Sequence, residues 1–178
     1  MIGFLRFFGL LNTAVWLGGA IFFTLGAGPA VFSHDIQTLL GPNNYPYFSG
    51  AIAQVFIKRY FDMQLICGVV AVVHLLVERL YLGKTFQQLW LGLVVGLFTL
   101  SLLGACWLQP KMKELHTVKY TVNSSPAARQ AAIQAFGTWH GASQIANLLM
   151  ICGLAVYFWH LANPPDPTRF VSTSKFRS

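Results

Sequence analysis

Charge is the first thing this sequence is short of. Only 10% of its 178 residues are Asp, Glu, Lys or Arg, against about 25% in an ordinary soluble domain. With 55% of the chain hydrophobic, so few charges could not cover the surface of a soluble bundle. A surface turned to lipid removes the need for them. Cysteine is scarce too. Cys67, Cys106 and Cys152 are odd in number, have no paired spacing and sit in apolar runs, so buried free thiols are expected rather than a disulfide or metal framework. The sequence also lacks a Gly-rich phosphate loop, Cys-x-x-Cys, His-Glu-x-x-His and a nucleophile elbow. No catalytic residue can be assigned from motif, and the reading leans away from an enzyme. The formal charge of +7 does not signal nucleic-acid binding. The basic residues stand at the ends of apolar runs, where lipid phosphates are their natural partners.

Long charge-free runs are what the sequence has instead. No charged residue lies between Arg6 and Asp35, between Lys84 and Lys111, or between Arg129 and Asp166. A helix crosses a bilayer with about 20 mostly apolar residues, and each of these runs exceeds that. A fourth run is shorter, with only Met63 to Val77 free of formal charge. It spans if Asp62 and Glu78 sit near headgroups or inside the bundle and Lys58, Arg59 and Arg79 snorkel outward. Spans are therefore expected near Phe7–Phe32, Tyr60–Leu82, Phe86–Leu108 and Ala142–Leu161. The first run is longer than the roughly 7–15 apolar residues of a signal peptide, so it reads as a retained helix.

The expected fold class is all-α, an integral membrane four-helix bundle with helical extensions on the side of the two long connections. Helix one should run from about Phe4 to Phe32, bent or ended by Pro29. A turn-rich connection follows at Gly41-Pro42-Asn43-Asn44 and Tyr45-Pro46. A short amphipathic helix through Ile52, Val55 and Phe56 then leads into helix two, and a brief turn at Gly83-Lys84-Thr85 into helix three. Pro110 marks the exit of helix three or a kink. Ser125 before Pro126 reads as an N-cap with proline in the first turn, opening a helix that runs to Leu161. At about 1.5 Å per residue that helix is far longer than a hydrocarbon core of about 30 Å, so its start should project from the membrane. Residues 1–162 form the transmembrane domain and 163–178 a mobile basic tail. Four spans place both termini on one side, expected to be cytoplasmic from the basic residues clustered at the short turn.

Polar residues inside the spans are the candidates for function. His140, Ser143, Gln144 and Asn147 follow one another at i, i+3, i+4 and i+7 and so share a helix face. Facing lipid would be costly, so the face should turn into the bundle or a wet cavity. There the four either hydrogen-bond neighbouring helices or line a ligand pocket, which Asp62, entering helix two at similar depth, would share. His74 and Glu78 form a second i, i+4 pair, suited to a proton relay or to a plain interhelical contact. Gly92 with Gly96, and Gly137 with Gly141, match the Gly-x-x-x-Gly spacing for close helix approach, and Thr138, Ala142 and Ala146 add a second row of small residues. Packing within the chain is favoured over pairing of two copies. Membrane lipids are the expected partners, a homo-oligomer through these faces a further one.

The stretch Asn12-Thr13-Ala14-Val15-Trp16-Leu17-Gly18-Gly19-Ala20-Ile21-Phe22-Phe23 resembles the opening of the transmembrane protein 205-like family. Lys58-Arg59-Tyr60-Phe61 and the Trp-His-Gly-x-Ser-x-x-x-Asn order within Phe136 to Asn147 are similar to it as well. The resemblance implies a four-helix membrane protein of unsettled activity, with a link to platinum-drug tolerance that hints at metal or vesicle handling. Trp16-Leu17-Gly18-Gly19 is more distantly similar to copper-resistance membrane proteins and to haem-carrying four-helix protoporphyrinogen oxidases. Those groups place a histidine before the tryptophan where this chain has Asn12. No cofactor is therefore expected, with haem or copper the minority reading. The functional expectation is a membrane protein that binds or moves a small solute, ion or lipid through an intrabundle polar pocket. A haem- or metal-dependent oxidoreductase and a structural subunit are the alternatives.

Overall fold

The computed structural model describes residues 2–82 and 88–163. The expected turn at Gly83-Lys84-Thr85, the start of helix three at Phe86 and the basic tail from residue 164 onward lie outside these. Everything else expected to be helical is helical. The elements are α1 (Ile2–Phe22), α2 (Gly28–Val31), α3 (His34–Leu40), α4 (Tyr45–Leu82), α5 (Gln88–Leu103), α6 (Gln109–Tyr120) and α7 (Pro126–Ala162), with π-helical turns at Phe23–Ala27 and Gly104–Leu108.

Together they make four rods long and apolar enough to cross a membrane, Gly3–Val31, Tyr45–Leu80, Gln88–Tyr120 and Pro126–Ala162. The protein is an integral, multi-pass membrane protein. Its rods pack α1 against α4, α4 against α5, α5 against α7 and α7 back against α1, an up-and-down bundle with sequence neighbours side by side. The 37 residues of α7 give a rod of about 55 Å, so its start, paired with α6, projects past a hydrocarbon core of about 30 Å.

Local sequence sets the ends. Ser125 accepts a hydrogen bond from the Ala128 amide at 3.2 Å, with Pro126 in the first turn, and Ser33 does the same for Ile36 at 3.4 Å; both are side-chain N-caps. Gly41 closes α3 at φ 73°, a left-handed conformation that a side chain would disfavour. Arg6 donates to the Ala162 carbonyl at 3.2 Å, placing a cation at the negative end of α7.

Three expectations are corrected. The amphipathic approach to helix two is no separate helix, since α4 is continuous from Tyr45. Of the two outcomes expected at each proline, an end or a bend, the end is overturned: neither Pro29 nor Pro110 ends its helix. Each lies just past a π turn, where the Gly28 amide bonds the Phe23 carbonyl and the Gln109 amide the Gly104 carbonyl. A proline clashes with the carbonyl four residues back, here Leu25 or Cys106, and both fall inside the wider turn, so the rod continues. Finally, the cysteines are free, but only Cys67 is buried, while Cys106 and Cys152 are exposed on the outside of the bundle. In a membrane an apolar setting does not mean the interior, because the outer face is apolar too.

The core is formed by Trp16, Ala20, Cys67, Ala71, Val94, Leu97, Met150, Leu154 and Tyr157. It fills the middle of the bundle and its terminal side. There Gly9 lies under the ring of His74, and a Cβ at this position would run into it.

Candidate functional site

The space between the helices opens on the side of the long connections, into a cavity of about 530 Å³. Chain direction fixes its depth. Phe23, Gln64, Leu100 and Met150 lie at the end nearest the bundle core, while Phe32, Ala53, Met112 and Trp139 lie farthest from it. Small side chains and the two π turns make the room. Ala27, Gly28, Ala53, Ala142 and Ala146 line it, as do Phe23, Thr24 and Ala27 of the first π turn and Gly104, Trp107 and Leu108 of the second. Such single-turn π segments are frequent at functional sites. Among the described residues no Asp, Glu, Lys or Arg lines the cavity.

His140, Ser143, Gln144 and Asn147 all line it, on the one face that their spacing dictates. Their bonding differs. Asn147 reaches across the bundle, accepting from the Tyr60 hydroxyl at 2.6 Å and donating to Thr24 Oγ1 at 2.6 Å. Ser143 turns back to the His140 carbonyl at 2.7 Å. Gln144 Nε2 meets His140 Nε2 at 3.3 Å, which requires that ring nitrogen to be the acceptor. Only Asn147 of the four ties helices together; the others present polar atoms at the cavity wall.

Asp62 is not brought to the cavity. It sits one helical turn from Arg59 and pairs with it at 3.6 Å, both partly exposed, as expected of a headgroup-level ion pair worth little energy. His74 is buried, but its Nε2 meets the Leu5 carbonyl at 2.9 Å rather than Glu78, and its Nδ1 has no hydrogen-bond partner among the described residues. The remaining histidines are apart: His34 opens α3, His160 stacks on Trp90 at 3.7 Å, and His116 on Tyr47 at 5.6 Å. Among the described residues no three His, Cys, Asp or Glu side chains converge on a metal-sized site.

The glycine pairs also depart from expectation. Among the described residues a Cβ at Gly92, Gly96, Gly137 or Gly141 would meet nothing within 4 Å, so no described helix packs closely there. The row that includes Ala142 and Ala146 borders the cavity instead of a helix.

Sequence reading missed the partners across the cavity. Trp16 Nε1 donates to Gln64 Oε1, Ser101 Oγ donates to the same oxygen at 3.5 Å, and Tyr60 joins Asn147. With Thr24, these residues draw all four rods into one polar seam. The available signal was a lone Gln64 at the edge of an apolar run, with Ser101 and Thr24 inside charge-free ones.

A family model described as Domain of unknown function (DUF4149) matches residues 11–121, more than half of the chain. The match takes in Trp16, Tyr60, Gln64 and both π turns and stops before α7. No curated protein and no solved structure matches the chain.

Proposed function

We propose that this chain, which belongs to the DUF4149 family, binds a small uncharged molecule from the lipid phase in the cavity between its four rods. The observation that carries this is the lining: polar groups from α7 on one wall, aromatic rings on the others and no formal charge among the described residues. Pockets for small molecules have this make-up, apolar with a few placed polar groups. A bare ion would be poorly matched by it, because ions in a membrane interior are held by countercharges or a full shell of oxygens. The resemblance to the transmembrane protein 205-like family implies a four-helix membrane protein of unsettled activity and assigns no ligand. Binding alone or binding followed by movement across the membrane are both compatible with the reading, and the cytoplasmic placement of the termini remains part of it.

A structural role is the second reading. It is favoured by Asn147, whose two cross-bundle bonds hold α7 to α1 and α4. Mass spectrometry of the purified chain, paired with its absorption spectrum, tests both readings and the haem alternative. The expected result is a co-purifying uncharged, lipid-soluble molecule that is lost when Ala146→Phe fills the cavity. A Soret band at about one haem per chain would replace this reading with the oxidoreductase one.

A further inference from the structure

We infer that the cavity selects a molecule bearing a carbonyl oxygen, held at the inner end by the side-chain amide of Gln64; this rests on the cavity being a ligand site. Four buried side-chain atoms lack a hydrogen-bond partner among the described residues: Gln54 Oε1, Gln64 Nε2, His74 Nδ1 and His116 Nε2. Of these residues only Gln64 lines the cavity.

The amide cannot turn round to satisfy itself. Its Oε1 accepts from Trp16 Nε1, and an indole N–H can only donate. A flipped amide would set its own N–H against that of Trp16. The oxygen is therefore fixed towards Trp16, and Nε2 is left as a donor. The Tyr60 hydroxyl gives its proton to Asn147 and its oxygen is the neighbouring acceptor, but it makes no hydrogen bond of normal geometry with Nε2, which has no partner among the described residues. Gln64 is 1% exposed, and a donor so deep in an apolar bundle is costly to leave unpaired.

The rest of the cavity describes what carries the oxygen. Phe23 stacks on Tyr60 with ring centres 4.2 Å apart, and Trp107 meets Trp139 edge-on at 4.8 Å, giving aromatic walls suited to a flat apolar body. Leu103 and Trp107 both line the cavity and are each 54% exposed. They form a rim through which a molecule dissolved in lipid can arrive. The class is an uncharged, flat, lipid-soluble ketone, quinone or ester, its carbonyl oxygen accepting from Gln64 Nε2.

Two ring systems that differ by one carbonyl oxygen test this. The chain in lipid nanodiscs is loaded with tritiated 9-fluorenone, which is then displaced by unlabelled 9-fluorenone or by fluorene, with protein-free nanodiscs as background. Fluorenone should displace about fivefold to tenfold better, the effect of one added hydrogen bond. The infrared carbonyl band of bound fluorenone should shift to lower frequency. Gln64→Leu and Gln64→Met should remove the preference and leave fluorene binding within about twofold. Because both variants also leave Trp16 without its acceptor, the infrared shift in the unsubstituted chain decides the matter if neither folds. Equal displacement by the two rings and an unshifted band, with binding abolished by Ala146→Phe, would overturn the role of Gln64 and keep the cavity as a site. A preference that persists in both variants would overturn it as well. Binding no greater than to protein-free nanodiscs would overturn the ligand-site reading itself.

Discussion

The two ends of the bundle are made from the same four rods and differ in what lies between them. From the middle towards the termini, Trp16, Ala71, Val94, Leu154 and Tyr157 close the space almost completely, and His74 presses against Gly9. Towards the long connections, alanines and glycines face inward and two π turns swell the backbone, leaving about 530 Å³ open. Lipid is as apolar as leucine, so helices in a membrane are held by close packing and polar ties rather than by exclusion of water. The filled end supplies the packing. At the hollow end the helices are joined by the Asn147 bonds and by contact of α6 with α7 and α4, around the open cavity.

Substitutions at each end should separate the two roles. The largest effect belongs to the filled end: Trp16→Ala should cost about 3–5 kcal/mol, as for a large aromatic removed from a packed core, read by unfolding in mixed micelles. A loss under about 1 kcal/mol would mean that the end is not closely packed in lipid. Overpacking gives the next contrast. Gly9→Val, pushed into His74, should cost about 1–3 kcal/mol, whereas Ala146→Phe, entering open space, should leave the melting temperature close to that of the parent and abolish uptake of lipid-soluble probes. If the two destabilise alike, the cavity does not persist in the membrane. Asn147→Ala should cost about 1–2 kcal/mol, from two interhelical bonds of the modest size measured in membrane proteins. His140→Ala should be the mildest, within about 0.5 kcal/mol of the parent because no helix depends on it, yet with weaker probe uptake. Should His140→Ala destabilise as much as Asn147→Ala, the α7 stripe is a structural seam and the ligand reading loses one wall.

Much of this was legible in the sequence, for identifiable reasons. The charge-free runs, Ser125 with Pro126 and the spacing from His140 to Asn147 report local chemistry: hydrocarbon solubility, a cap and a helical period. Each survives unchanged in three dimensions. At the prolines the sequence left an end or a bend open, and composition alone does not announce the π turns beside which both rods continue. The Gly-x-x-x-Gly pairs misled because spacing says that a face is small without saying whether another helix covers it. Asp62 was placed by depth alone, and depth does not fix the side of the helix, which here turns it to Arg59.

The sequence by itself determined that the chain is helical, crosses the membrane four times and carries a polar face on its last helix, because hydropathy, capping and periodicity act within a few turns of chain. Which polar groups meet across the bundle was decided only by the tertiary structure. Trp16 finding Gln64, Tyr60 finding Asn147 and the open space beside them depend on the rotation of each rod about its own axis. That rotation is set by the packing of residues far apart in the sequence, and the window around any one of them leaves it free.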